Sequence, residues 1–223
     1  AIICGRVVDR PREYLPLNSE QPAPAAINYG EIINVLHGGG ASLYRRSVLE
    51  HVNTFNPWLY SDEEPELCLR IRHAGYQILR LPGTIAFHYT VPWEAFSTFL
   101  AKRKGNIWLG YGQNIRYLWG SPLCWSYIKE RGWGIPPALM LGAGLLAALA
   151  SIVTGQWLWL LIWVAILGLL TIGIAIHKRS LESALLILFR KLLILDGTIR
   201  GFLLKPHAPD AYPSKYDVIK QVN

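Results

Sequence analysis

The sequence holds little of what builds a disulfide frame or a metal finger. Its 223 residues include 3 cysteines, Cys4, Cys68 and Cys124, which are odd in number, scattered and without paired metal spacing. They read as inert thiols of a reducing compartment. No basic n-region or cleavage site of a secretory signal precedes the apolar opening AIICGRVVD. The one glycine run lacks the strand-to-helix phosphate signature, which excludes both a P-loop and a dinucleotide fingerprint. Lys and Arg outnumber Asp and Glu by 22 to 15, a net charge of +7. No basic stripe interleaved with aromatics forms a recognisable motif, however, so nucleic acid is not an expected partner.

Charge is missing altogether from two stretches, Ile135–Thr154 and Trp157–Ile176, of 20 residues each. As a helix, each reaches about 30 Å, the thickness of a hydrocarbon core. Only Gly155 and Gln156 separate them, so a tight transmembrane hairpin is expected. A chain of this size has too little else to bury two such helices. Trp157, Trp159 and Trp163 near the turn and Trp133 at the opposite boundary suit interface anchors. Lys129 and Arg131 precede the hairpin, Lys178 and Arg179 follow it, and the turn is uncharged. The positive-inside rule therefore puts both ends, and everything before them, on the cytoplasmic side of the cell membrane. Ser180–Leu204 is apolar but broken by Glu182, Arg190, Lys191, Asp196 and Arg200. It reads as an amphipathic helix on the membrane surface, less well as a third span. Lys205–Asn223 reads as a polar tail.

The richest stretch for chemistry is Ser61–Gly75, SDEEPELCLRIRHAG. Asp62, Glu63 and Glu64 run into Pro65, which fits the first position of a helix. Acids at that end oppose the positive pole of the helix dipole. Glu66 stands four residues before Arg70, a supporting pair, and Gly75 is a natural left-handed cap. The acids are thus expected on a loop at a helix N-terminus, where they serve either as solvated caps or as a general base.

Around them, Ala1–Val8 reads as a strand, with Gly5 at a bulge or close approach. Pro11–Ala26 reads as a loop, either mobile over the site or a plain connection. Glu31–His37 is a short strand or a helix turn. Gly38, Gly39 and Gly40 let backbone approach a ligand closely. Ala41–Arg45 reads as a strand, Ser47–Glu50 as a capping box, and Asn53 as a left-handed helix terminator. Thr84–Tyr89 is a strand ending near His88. His37, His51 and His73 read as ordinary structural histidines. Trp93–Tyr117 interleaves aromatics with Lys102, Arg103, Lys104 and Arg116, as an interfacial helix would.

The order of these motifs resembles the second half of the catalytic domain of family 2 glycosyltransferases of the GT-A fold. The matching features are the Gly-Gly loop before a strand ending Arg45-Arg46, the acidic motif, Leu67-x-x-Arg70-x-x-x-x-Gly75-Tyr76, and a strand ending in His88. The resemblance covers about residues 1–90. It implies a partial α/β fold, a Rossmann-like mixed sheet over 1–92, followed by a basic-aromatic interfacial segment over 93–134, the hairpin over 135–176, and an interfacial helix with a tail over 177–223. It further implies sugar transfer with inversion, from a nucleotide-sugar donor to a lipid-linked or polysaccharide acceptor at the cytoplasmic membrane face. The base role falls on Glu64, with Glu63 and Asp62 as acidic neighbours. Gly38, Gly39, Gly40, Arg70, Gln113 and Arg116 are the implied substrate contacts. Gln113-Asn-Ile-Arg-Tyr117 echoes the Gln-x-x-Arg-Trp of processive synthases, though tyrosine ends it. His88 is the implied ligand of a divalent metal, Mg or Mn, held mostly by a nucleotide-binding half. That half carries Asp-x-Asp in the family, and no Asp-x-Asp occurs in this sequence. The expectation is therefore a fragment, inactive by itself. The rival expectation is a non-catalytic membrane scaffold or adaptor built on a degenerate transferase domain.

Overall fold

A computed structural model describes residues 2–11, 30–90, 95–207 and 209–212; the expected loop at 11–26 and the tail beyond 212 lie almost wholly outside them. Among the described residues a four-stranded sheet has the order β2-β4-β1-β3. Its strands are β1 (Ile2–Pro11), β2 (Ile33–Asn34), β3 (Ser42–Tyr44) and β4 (Ile78–Thr90). The two long strands run parallel, and the short outer strands are antiparallel to them. The chain is a mixed α/β protein; the narrower GT-A expectation is taken up below as a proposal.

Helices α1 (Arg46–Val52) and α2 (Glu63–His73) cover one face of the sheet. Ile2, Cys4 and Ile78 from the strands meet Val48, Val52, Leu67, Cys68 and Ile71 from the helices, which makes the core. Alternation sends Ile3, Leu43 and Ile85 to the opposite, exposed face. Gly5 sits where expected: a Cβ there would overlap the Ile85 side chain, and the β1–β4 register shifts on either side of Arg6. Cys4 faces Arg80 and Arg6 faces Thr84, so Pro82 and Gly83 lie in the slack of a bulge. The strand accordingly begins at Ile78 and not at Thr84, because a bulged proline need not donate to the ladder.

Two helix starts differ from expectation. The Ser47–Glu50 capping box does not form: α1 begins at Arg46, and Glu50 accepts from Arg46 Nε at 2.7 Å instead. In α2, Pro65 is the third residue and not the first. Its missing N–H still falls among the donors that no helical carbonyl reaches, so the position tolerates it. The helix ends do agree. Asn53 is left-handed at φ 60°. Gly75 (φ 83°) donates to Arg72 O while Tyr76 N–H donates to Ile71 O, the paired bonds of a Schellman end.

The expected single interfacial helix over 93–117 is instead two short helices, α3 (Phe96–Lys104) and α4 (Leu109–Tyr117), followed by α5 (Leu123–Arg131). Asn106, at φ 59°, makes the break between the first two. α4 is buried rather than interfacial, through Leu109, Gly110, Gly112, Asn114 and Ile115. It lies against α8 (Leu181–Leu203), and small residues let the two backbones touch. A Cβ on Gly112 would overlap the Thr198 carbonyl, and one on Gly201 would overlap that of Leu109.

The hairpin is α6 (Ile135–Thr154) and α7 (Leu158–Lys178). Both helices are long and apolar enough to cross a membrane, with mean hydropathy 1.9 and 2.6, and almost none of their surface is buried within the protein. Ser151 Oγ accepts from Leu160 N–H at 3.1 Å, and Trp163 Nε1 donates to Met140 O at 3.0 Å, fixing one helix on the other. α8 is capped by Ser180, whose Oγ accepts from Ser183 N–H at 3.1 Å. It packs on α3 and α4 with one side and on α6 and α7 with another. The charges that interrupt its apolar pattern are used there: Asp196 binds Arg103 at 3.0 Å and Arg200 at 3.4 Å. The residues after it also fold back, with His207 stacked 4.6 Å from the Trp58 ring. Of the expected tail, His207 and Tyr212 thus both meet Trp58.

Gly112→Val is expected to cost at least about 2 kcal/mol by forcing α4 off α8. Gly142→Ala, in open space on α6, is expected to cost nothing. Thermal unfolding of both variants in detergent checks the contrast, and equal melting temperatures would contradict the packing described.

Candidate functional site

The three acids of the motif face three different environments. Asp62 caps α2 in the left-handed region (φ 64°) without any side-chain bond to the helix. Its carboxylate is turned into the protein, with the side chain only 6% exposed. Oδ2 accepts from Tyr127 Oη at 2.6 Å and from Arg131 Nε at 2.9 Å, while Oδ1 accepts from Arg131 Nη2. Asn114, fully buried, donates at 3.2 Å to both the Asp62 carbonyl and Tyr127 Oη. Burial pushes the Tyr127 hydroxyl well above its ordinary pKa, and the Asp62 charge adds to that. Burial opposes the Arg131 charge, yet its bonds to Asp62 hold the guanidinium protonated above its usual range. Asp62 is thus an anchor, tying the start of α2 to α4 and α5. Arg131, expected as a membrane-flanking charge, is spent here.

Glu63 points to solvent. Glu64 turns the other way, toward the glycine loop. Its Oε1 accepts from Gly39 N–H at 2.8 Å and from Cys68 Sγ at 3.4 Å. Among the described residues no hydrogen bond reaches Oε2. Gly39 has φ 92°, and a Cβ on Gly38 would stand 2.6 Å from Ser42 Oγ and 3.3 Å from Glu64 Oε1. The loop therefore lies on the carboxylate because its residues have no side chains. Ser42 Oγ donates to Gly39 O at 2.8 Å and holds the turn from below. A Cβ on Gly39 or Gly40 would meet nothing, so that flank of the loop is open.

Neighbouring groups feel the buried setting and then the Glu64 charge. Burial, reinforced by Glu64 and opposed by a bond from the Gly38 backbone, pushes the Cys68 thiol up to about 12. It is a neutral donor, not a nucleophile. Burial and then Glu64 also raise Tyr44. His37, just before the glycines, is pushed down by burial, with Glu130 acting against this. Glu130 accepts from Arg72 Nη2 at 2.7 and 2.8 Å and stands 3.6 Å from His37 Nε2.

The remaining expected residues divide. Arg70 takes no part in an open site. Nε and Nη2 bind Glu66 at 2.7 and 2.8 Å, Nη1 donates to the Val52 and Asn53 carbonyls, and Nη2 to Thr54 O at 2.7 Å. Its donors are shared between Glu66, which is fully buried, and the carbonyls that close the end of α1. Gln113 accepts from Tyr60 N–H at 3.0 Å and donates to Trp58 O at 3.1 Å, so it clamps the loop that leads into the acids. Arg116 lies 5.5 Å from the Phe202 ring on α8. His88 is exposed on β4, opposite Asp9 in register. Among the described residues no three His, Cys, Asp or Glu side chains gather to hold a metal. Sequence reasoning missed Asn114, Tyr127, Glu130 and Arg131, whose only signal was a short basic-aromatic stretch that reads equally well as an interface.

Compared with known proteins, the chain matches no family model, no curated protein and no solved structure.

Asp62→Asn leaves Arg131 without its partner and is expected to cost about 3 kcal/mol. Glu63→Gln, in solvent, should stay within about 0.5 kcal/mol of the parent. Urea unfolding in detergent separates the two, and an equal cost would contradict the division of roles among the acids.

Proposed function

We propose that these residues form the acceptor side of an inverting, membrane-anchored glycosyltransferase of GT-A type, with Glu64 as general base. The observation that carries the reading is the two-sided state of the Glu64 carboxylate. Gly39 N–H fixes one oxygen at 2.8 Å, and among the described residues no hydrogen bond reaches the other. A hydroxyl is a poor nucleophile until a carboxylate takes its proton, a contribution of ~10²–10⁴ in rate. In the proposed step an acceptor hydroxyl seated beside Gly40 gives its proton to Glu64 Oε2. The hydroxyl oxygen forms a bond to the anomeric carbon of a nucleotide sugar. The bond to the diphosphate breaks, the electron pair leaves with the diphosphate, and the anomeric centre inverts. Asp62 and Gln113 act on position only, one holding the start of α2 and the other the loop before it. Donor binding is assigned to a nucleotide-binding half that these residues do not include.

α6 and α7 are read as lying in the cell membrane, with the sheet on the cytoplasmic side. Their apolar, outward-facing surfaces and the basic Lys129, Lys178 and Arg179 at the same end of the hairpin support this. A lipid-linked or polysaccharide acceptor follows from that closeness to the bilayer. The rival reading, a non-catalytic scaffold, draws on the same Gly39–Glu64 contact, which also serves as a staple between loop and helix.

Glu64→Gln separates them, because the amide still accepts from Gly39 N–H but takes up no proton. Made in the full-length gene product and assayed for sugar transfer in native membranes, it should lose at least ~10² in turnover. Its melting temperature should be unchanged. Full turnover in the variant would leave the scaffold.

A further inference from the structure

At the base of the hairpin, α6, α7 and α8 enclose a groove of about 450 Å³. This is within the ordinary range of small-molecule sites. Met140, Leu167, Leu170, Ile174, Ile187 and Leu188 supply most of its wall. Among the side chains lining it, Lys191 alone carries charge. The groove touches α6 from Pro136 to Leu141 and α7 from Trp163 to Ile174. It therefore starts at the hairpin end nearest the globular part and reaches about 20 Å along α7.

A cationic cluster borders it. Lys191 Nζ lies 5.5 Å from the Trp133 ring. Arg190, its neighbour on α8, has a buried Nε with no hydrogen-bond partner. On α3, Lys102 is near enough to Arg190 that burial, and then the guanidinium, push its ammonium down to about 8. Lys191 is pushed down by the same two causes. Phe96 and Phe189 stack at 4.6 Å and hold α3 against α8 here. Arg190 is thus close to both Lys102 and Lys191, and of the three Lys191 lines the apolar slot.

We propose that this groove seats an anionic phospholipid, one chain lying between α6, α7 and α8 and the phosphate resting on Lys191. The proposal relies on the reading that the hairpin lies in a bilayer. A free phosphate would leave the groove empty, and a neutral lipid would bring no anion to Lys191 at its wall. A phosphate with an attached chain satisfies both, since an ammonium group bonds phosphate oxygens with charge assistance. The seat lies on the helix that also carries Gly197 and Gly201 against α4, so bound lipid would brace the globular part on the membrane.

The test uses the full chain in nanodiscs of phosphatidylcholine with an equal share of phosphatidylglycerol. Lipid retained after transfer to detergent is read by native mass spectrometry. Phosphatidylglycerol should be retained ~10-fold over phosphatidylcholine. Lys191→Gln should bring that preference near parity. Leu188→Trp, which fills the groove and leaves Lys191, should lower retention of the anionic lipid as well. Parity in the parent chain would overturn the proposal. So would loss of phosphatidylglycerol to millimolar inorganic phosphate, which would mean that Lys191 binds a free anion only. A chain that alkaline carbonate strips from vesicles would instead defeat the underlying membrane reading, an outcome visible before any lipid is counted.

Discussion

The Asp62–Arg131 pair is the contact on which the rest of the architecture turns. Asp62 stands at the first turn of α2, and Arg131 at the last residue of α5, 69 positions later. Between them run the end of the sheet, α3 and α4. Closing this span with a nearly buried ion pair, a tyrosine hydroxyl and an asparagine amide fixes how α2 meets the helices that lead into the hairpin. Such a pair is weak evidence of net stability, since desolvation offsets much of the attraction. Its value lies in direction. Turning Asp62 inward, at the cost of a left-handed backbone, leaves Glu64 one helical step further round, facing the glycine loop.

That division of labour connects the sheet to the apolar hairpin. α4 carries Asn114 toward Asp62 and Gln113 toward the Trp58–Tyr60 loop, while Gly112 admits α8 on the other side. α8 then meets α6 and α7. The chain of contact from Glu64 to the hairpin therefore passes through backbone-close helix packing and not through flexible loops. In the proposed function this rigidity sets the height of the base above the bilayer and so limits which acceptors reach it.

Much of this was legible in the sequence where a single local rule decided the outcome. Uninterrupted apolar runs gave the hairpin boundaries almost to the residue, because length and absence of charge suffice. Asn53, Gly75 and Gly5 announced their turns and bulge through backbone freedom alone. The capping box failed because Arg46 competed for Glu50 at helical spacing. The 93–117 stretch was expected as one helix and is two, and its packing was not legible because aromatic and basic residues look the same whether they face lipid or a partner helix. α8 lies within one residue of the expected Ser180–Leu204. Arg131 sits among flanking positive charges, and nothing local reveals an aspartate waiting far upstream. Arg70 was misread similarly, since a motif arginine that closes carbonyls and one that grips substrate are spelled alike.

The central claim is that Glu64 removes a proton from the incoming nucleophile, and a nucleophile that brings no proton tests it most directly. In the full-length protein, Glu64→Ala should be nearly silent with its acceptor, and added azide should restore cleavage of the nucleotide sugar. The product should be a glycosyl azide of inverted configuration. Absence of rescue in a variant that still folds and binds donor would contradict the assignment, and a product of retained configuration would contradict the single displacement.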